Sequence, residues 1–308
     1  MSRSGEATAS TTTVDERRVA ERGQAMSAAV HYRPSRTLPI WAEVRRQASR
    51  RRTQLALGFM ALLPLIVLLA FEFGSDGDDD NGGGQFASLV DLATSGGLNF
   101  ALFSIFVSSS FLLVVVVALF CGDTVASEAS WGSLRYLLAI PVPRARLLAV
   151  KLIVALMYSA TALLTLTGTA LLLGTLRYGW HPLGSTIAAE IPPGEGLLRL
   201  LGIIGYLAVI LLVVAGLAFL LSVLTDAALG AVGGAVLLWI LSGILDQIEA
   251  LGTIRDLLPT HYSQAWLGLL STPTQIDDIV KGAISAICYA ALFWGIAFYR
   301  FTRKDVVS

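Results

Sequence analysis

The residue types that carry out most enzyme chemistry are few in this chain, and their spacing fits no catalytic motif. The lysines are Lys151, Lys281 and Lys304, and none follows the glycine-rich loop with which P-loop proteins hold ATP. Neither an H-E-x-x-H nor a G-x-S-x-G pattern occurs. We therefore predict that the chain is not an enzyme and has no catalytic, cofactor-binding or metal-ligating residue.

The histidines and cysteines are interpreted as structural residues. His31, His181 and His261 all fall outside the long apolar segments, and His261 is expected to be a solvated loop residue. Cys121 and Cys288 are too few to form a disulfide framework or a metal set. We expect both cysteines to act as small packing residues.

The composition is typical of a membrane protein. Of the 308 residues, 55% are hydrophobic and 14% are charged, whereas soluble domains carry roughly 25% charged residues. A helix needs about 20 apolar residues to cross the bilayer core. Six segments meet this requirement: 53–73, 98–120, 147–176, 200–225, 228–245 and 282–301. We predict an all-α polytopic membrane protein with six transmembrane helices in one domain, 31–308, after a disordered tail, 1–30.

The arginines and lysines predict the orientation of these spans. They cluster before the first span, in the connector after the second and after the last, whereas residues 74–97 contain none. Cytoplasmic loops are enriched in lysine and arginine, and an even number of spans leaves both termini on one side. We predict a multi-pass protein of the cell membrane with both termini cytoplasmic.

The centres of the predicted spans contain neither acid nor base. Glu72 lies near the end of the first span, and Asp226 lies in the turn between the fourth and the fifth. A charge at mid-bilayer usually marks an ion or proton path. The pattern therefore argues against a secondary transporter without eliminating that class, and it favours a hydrophobic or amphipathic cargo.

Residues 36–52, just before the first span, predict an amphipathic helix that lies in the membrane plane. Trp41, Val44 and Ala48 recur at helical spacing on one side. The basic residues predicted to anchor this helix to anionic headgroups are Arg45, Arg46, Arg50, Arg51 and Arg52. The alternative is that these arginines only set the topology.

The connector 121–151 has a regular pattern of residues and is not expected to be an irregular loop. From Glu128 onward, Trp131, Leu134, Leu137 and Leu138 recur at three- and four-residue steps, which predicts a short helix with Glu128 near its start. Pro141 and Pro143 break this helix, and Pro143 is suited to be the first residue of a new one. The pattern predicts a stiff elbow, and an inert amphipathic connector is the alternative.

This connector resembles the one between the second and third spans of bacterial ABC transporter permeases of the type-2 export class. The matching residues are Asp123, Glu128, Trp131, Gly132, Ser133, Leu134, Pro141, Val142, Arg144 and Lys151. The resemblance implies a coupling helix, with Arg135 and Pro143 in the same element, that docks on a separate subunit binding ATP and magnesium. It also implies the in-plane helix and a short element around Trp266 in the loop 246–281, where the residues alone leave an ordinary loop equally open.

The resemblance implies the permease subunit of an ATP-driven exporter, with membrane lipid around it. Two copies, or one copy and a related permease, would form the dimer, and multidrug efflux is the expected type of transport. The second hypothesis is a non-transporting membrane scaffold or assembly factor that holds a cytoplasmic partner. A secondary transporter is the third. The net charge of zero gives no indication of a nucleic-acid partner, and we expect none.

Overall fold

The computed structural model describes residues 40–74, 84–130, 143–184 and 190–303. Within these ranges the chain is helical and has no β-strand, only an isolated bridge between Leu183 and Ile191. The helices are α1 (Ile40–Ala48), α2 (Arg51–Gly74), α3 (Gly84–Thr94), α4 (Gly97–Ser109), α5 (Leu112–Ser130), α6 (Arg144–Tyr178), α7 (Pro193–Leu224), α8 (Ala228–Asp246) and α9 (Asp277–Arg303). Two 3-10 segments, Glu249–Leu257 and Ala265–Leu270, join α8 to α9.

Several of these helices are long and apolar enough to cross a membrane. Five of them, α2, α6, α7, α8 and α9, qualify singly, and α4 with α5 qualifies as a bent pair, which makes six. The prediction of an all-helical fold with five to six helices that could span a membrane is confirmed at this level. The predicted tail 1–30 lies outside the described residues.

Helix α7 forms the centre of the bundle, and α2, α8 and α9 lie at its periphery. α7 packs along α5, α8 and α9, and 67% of its most apolar window is buried. The peripheral helices leave large apolar side chains exposed, for example Leu55 at 73% and Leu229 at 85%. Such extended apolar surface is expected where helices contact lipid instead of water.

The second predicted span, 98–120, corresponds to two helices that meet at a bend. α4 ends at Ser109, α5 begins at Leu112, and the pair is bent by 59°. Ser108 donates a hydrogen bond to the Ser104 carbonyl at 2.6 Å, and Ser109 donates to the Phe106 carbonyl at 3.1 Å. Serine hydroxyls that bond to the preceding turn bend helices. The hydroxyls of Ser108 and Ser109 therefore favour a bend at this point of the span.

The two ends of the bundle are identified by contacts between helix termini. At one end, which we call the entry end because α2 begins there, Ser222 near the end of α7 accepts hydrogen bonds from the backbone N–H groups of Val125 and Ala126, both at 3.0 Å. At the opposite, far end, Arg177 pairs with Glu72 at 2.8 Å. Successive long helices therefore alternate in direction between these two ends.

A glycine allows α4 and α6 to approach closely at the far end. A Cβ atom at Gly97 would lie 2.6 Å from the backbone nitrogen of Thr175, a distance at which no side chain fits. The Gly97 N–H also donates to the Gly179 carbonyl at 2.9 Å. Because the obstacle is backbone, only glycine is accommodated there.

Candidate functional site

Helix α1 packs against α6 at the entry end of the bundle. The Tyr158 hydroxyl of α6 donates a hydrogen bond to the Val44 carbonyl at 2.8 Å. Gln47 is buried, whereas Trp41 is 73% exposed. The face toward the bundle is therefore centred on Val44 and Gln47, and Ala48, predicted on the same apolar side as Val44, is exposed.

Glu128 is the centre of an ion cluster that joins α1 to α5 and α6. Lys151 donates to Glu128 Oε1 at 2.6 Å, and Arg46 donates to the same carboxylate oxygen. Glu43 accepts from Arg46 at 2.7 Å and lies 3.5 Å from the Lys151 ammonium. Two carboxylates and two cations from three helices therefore alternate in space.

Asp123 extends this cluster to the start of α2. Arg50 donates to Asp123 Oδ2 at 3.1 Å, and Arg52 donates to Asp123 Oδ1. Ser127 donates to the Asp123 carbonyl at 2.6 Å. We call the whole set the ion cluster, and its members are Glu43, Arg46, Arg50, Arg52, Asp123, Glu128 and Lys151.

The acidic and lysine members of the ion cluster are withdrawn from solvent. The side chains of Asp123, Glu128 and Lys151 are each 3% exposed. Taking a charge out of water costs several kcal/mol unless a well-placed partner compensates it. The arginines that reach these carboxylates are 25–48% exposed. The cluster is therefore shielded from solvent on its inner side and accessible to solvent on its outer side.

Two members of α1 have shifted pKa values. Burial acts to raise the pKa of the Glu43 carboxyl, but Lys151 and Arg46 outweigh it and hold that pKa below its ordinary value of 4.5. Burial acts to lower the pKa of Arg46, and the carboxylates of Glu43 and Glu128 outweigh it and raise that pKa. The Glu43 carboxylate and the Arg46 guanidinium are therefore both held in their charged forms.

The structure brings together two sets of residues that were predicted to act separately. Asp123 and Glu128 were predicted to couple to an ATP-binding subunit, and arginines of the 36–52 segment were predicted to anchor to headgroups. Three of those arginines, Arg46, Arg50 and Arg52, contact the two carboxylates and also stay 25–48% exposed. Arg45, Arg51 and Trp41 remain exposed.

One local prediction in the connector is wrong. Glu128 was expected near the start of a new helix, but it lies in the last turn of α5, which continues to Ser130. Because Asp123 and Glu128 have partners across the bundle, their charges do not end the helix. The predicted docking residues Trp131, Gly132, Leu134, Arg135, Pro141 and Val142 lie outside the described residues.

After the connector, α6 begins as the prolines predicted, displaced by one residue. Pro143 is the cap rather than the first helical residue, and Arg144 begins the helix. The Pro143 carbonyl accepts from the N–H groups of Arg146 at 2.9 Å and Leu147 at 3.1 Å. A proline just before the first turn fixes the backbone where the long helix begins.

Sequence reasoning missed the role of Glu43 and did not assign Lys151 to a site. The available signal for Glu43 was that it is a lone acid among arginines between residues 36 and 52. No local pattern indicates that Arg46 meets Glu128, because 82 residues separate them. Within the described ranges, no group of three or more histidine, cysteine, aspartate or glutamate side chains is arranged to hold a metal ion.

Comparison with known families gives one match. A family model described as a protein of unknown function, DUF2705, matches residues 61–307 of the chain. The match begins within α2 and extends through α9, including both helices that flank the connector, whereas α1 and the start of α2 precede it. No curated protein matches the chain.

Proposed function

For this chain, which belongs to the family of proteins of unknown function DUF2705, we propose the role of membrane-spanning permease subunit of an ATP-driven exporter. The ATP-binding subunit is a separate protein that docks on the connector between α5 and α6. Both termini and the connector face the cytoplasm, and two permease subunits form the transport unit. The proposal starts from the resemblance of the connector to those of type-2 ABC permeases.

The observation that carries the proposal is the direct bridge across the two ends of the connector. Glu128 precedes residues 131–142 and Lys151 follows them, and the two side chains pair at 2.6 Å. The bridge keeps the last turn of α5 and the second turn of α6 at a fixed separation. A force on the connector therefore acts on both helices together instead of being absorbed by their separate motion.

The ion cluster extends this bridge to the start of the first span. Arg46 and Glu43 connect α1 to the Glu128–Lys151 pair, and Arg52 connects α2 to Asp123. Four helices thus meet within one set of charge-assisted hydrogen bonds. Such bonds are stronger than hydrogen bonds between neutral groups. In the proposed mechanism, closure of the ATP-binding subunits pushes the connector, and the four helices move as one body.

Such a motion has a consequence at the bend between α4 and α5. The bend at Ser109–Leu112 divides the second span into two rods that meet at 59°. Rotation of α5 by the ion cluster changes this angle, because α4 is held at the far end through Gly97. We propose that the bend is the point at which access to the two sides of the membrane alternates.

The first test is whether the chain associates with a P-loop ATP-binding subunit in its native membrane. The chain is solubilised from that membrane and purified through a tag, and any co-purifying ATP-binding subunit is identified and then co-expressed with it. The proposal predicts a stable complex whose ATPase activity exceeds that of the isolated subunit. If the ATP-binding subunit never co-purifies, the proposal is contradicted.

A charge reversal in the connector separates an exporter from a scaffold. We expect Arg135→Glu to leave membrane insertion intact and to abolish the stimulation of ATPase activity, because Arg135 is predicted in the docking helix. The matched control is Lys281→Glu, since Lys281 is 60% exposed near the start of α9 at the far end and pairs with the exposed Asp278. A complex that forms with wild-type chain but shows no ATP-dependent transport would indicate a scaffold.

A further inference from the structure

A cavity of about 400 Å³ lies beside the bend in the second span. Its walls come from the bend at Ser109 and Ser110, from the middle of α7, from the last half of α8 and from the loop between the two 3-10 segments. This volume lies within the usual range for small-molecule sites. None of the residues assigned to the ion cluster lines it.

The cavity has one apolar side and one polar side. Leu207, Ile210 and Trp239 form part of the apolar side, and the Trp239 side chain is almost entirely buried. Asp246 and His261 lie on the polar side. An aromatic side chain and a carboxylate in one cavity are the two groups that attract organic cations.

The charged groups around a neutral His261 have a net charge that one additional positive charge would balance. His261 Nδ1 lies 2.6 Å from Asp246 Oδ1, and His261 Nε2 lies 3.3 Å from Asp256 Oδ1. Arg255 Nε lies 3.7 Å from the same oxygen of Asp246. An imidazole donates hydrogen bonds from both nitrogens only when it is protonated. With neutral His261 the four groups therefore sum to one negative charge, and with a proton on His261 they sum to zero.

The groups that face His261 come from three elements. Asp246 ends α8, and Arg255 and Asp256 belong to the first 3-10 segment. The neighbouring Tyr262 ring contacts the imidazole edge to face, with 4.7 Å between ring centroids. We call His261 with Asp246, Arg255 and Asp256 the far cluster.

We propose that this cavity binds an organic cation with an apolar body, and that the cation takes the place of the proton on His261. The positive group of the ligand lies against Asp246, and its apolar part lies against Trp239 and the α7 side chains. Where His261 carries a proton, that proton goes to solvent as the cation binds, so that the charge of the four groups and the ligand stays balanced. The binding site is argued independently of the proposed function. Only the identification of this cation as the transported cargo rests on that function.

The test measures binding to the full chain in lipid nanodiscs without any ATP-binding subunit. The probe is radiolabelled benzyltrimethylammonium, whose own charge does not titrate, and the uncharged competitor is its isostere neopentylbenzene. We expect saturable binding that is tighter at about pH 7.5 than at about pH 5.5, the range in which imidazoles exchange protons. Equal affinity at both pH values, or displacement by neopentylbenzene as effective as by unlabelled cation, would overturn the proposal.

Two substitutions test the roles of Asp246 and His261 in binding the cation. Asp246→Asn is expected to weaken binding about tenfold or more, because the cation loses its charged partner. His261→Gln is expected to retain binding and to remove its pH dependence, because no imidazole proton then competes. Unchanged binding in Asp246→Asn, or an unchanged pH profile in His261→Gln, would contradict the assignment.

A pair of glycine substitutions tests the cavity itself without touching a charge. Gly243 lines the cavity, and a Cβ atom there meets no atom within 4 Å. Gly233 lies on the same helix with equally open space, but it does not line the cavity. We expect Gly243→Leu to abolish binding and Gly233→Leu to preserve it, and equal binding by the two variants would refute the site.

The binding test and the test of the proposed function fail separately. A chain that binds the cation but recruits no ATP-binding subunit would overturn the permease proposal and leave the site in place. A chain that stimulates an ATP-binding subunit but binds no cation would overturn the site alone.

Discussion

The ion cluster at the entry end and the far cluster at the opposite end differ in how deeply their charges are buried. In the ion cluster, Glu128 and Lys151 are each 3% exposed. In the far cluster, Asp246 is 14% exposed, His261 is 25% exposed and Asp256 is 58% exposed, so that every member is in contact with solvent. Water replaces a lost partner at an exposed carboxylate but not at a buried one. The ion cluster is therefore a permanent joint, whereas the far cluster is able to exchange its partners.

The two clusters also differ in what they connect. Arg46 and Glu128 are 82 residues apart, so the ion cluster ties separate helices into one unit. Asp246 and His261 are 15 residues apart, so the far cluster joins α8 only to the segment that follows it. The first arrangement is suited to transmitting motion. The second, beside a cavity of about 400 Å³, is suited to binding.

The largest expected effect is on stability, from breaking the ion cluster at its centre. Glu128→Gln leaves the Lys151 ammonium buried with one fewer charged partner. We expect the free energy of unfolding to fall by about 3–5 kcal/mol, the usual cost of breaking a buried ion pair. Thermal unfolding of the purified chain in detergent measures this loss.

The control for that substitution is Asp278→Asn. Asp278 is 65% exposed and pairs at 3.2 Å with Lys281, which is 60% exposed, on the same helix. Because exposed pairs contribute about 0–1 kcal/mol, the stability of this variant is expected to stay near wild type. Similar losses in the two variants would remove the distinction between the buried joint and an ordinary surface pair.

A smaller effect on stability is expected at the far cluster. His261→Gln removes an imidazole whose partner Asp256 is largely exposed, and the amide is able to keep a hydrogen bond to Asp246. We expect a loss of about 1 kcal/mol or less, as for pairs that water screens. If this variant were destabilised as strongly as Glu128→Gln, the far cluster would be a second structural joint and not a place of exchange.

The smallest expected effect is a change in acid sensitivity from α1. The pKa of Glu43 is held below 4.5 in the folded chain, so its contribution to stability is complete above that value and is lost as pH falls through the lowered pKa. Glu43→Gln is therefore expected to make the decline in unfolding temperature below pH 4.5 shallower than in wild type. An identical decline in both chains would show that Glu43 is not held charged by Lys151 and Arg46.

The membrane architecture was predictable because hydrophobic length is a local property. Pro64 did not interrupt the first span, whereas the second span is bent between Ser109 and Leu112. Hydropathy gives little weight to a single proline or to a few serines, so it indicated neither outcome. Hydropathy also placed Asp123 and Glu128 outside the membrane helix, since it assigns charged residues to solvent. Their partners at Arg46 and Arg52 belong to a distant segment, and only the fold shows that the charges compensate one another.

The candidate sites were predictable only in part, because they depend on contacts between segments that are far apart in the sequence. The basic segment and the connector were each recognised as patterned, and their contact was not, because spacing along the chain carries no information on contacts across more than 70 residues. His261 was interpreted as a solvated loop residue. The aspartates at its two ring nitrogens lie 15 residues before it on α8 and five residues before it in a 3-10 segment, and only the turn between them brings the three together.

The central claim is that the ion cluster transmits the movement of an ATP-binding subunit to the spans, and neighbouring arginines provide its most direct test. Arg46 donates to Glu128 and Glu43, whereas Arg45 is exposed on the same helix. The measurement is the ATPase activity of the co-purified complex carrying Arg46→Gln or Arg45→Gln. We predict that Arg46→Gln retains the complex and loses the stimulation of ATPase activity, while Arg45→Gln retains both. Full stimulation in Arg46→Gln, or equal loss in the two variants, would contradict the account.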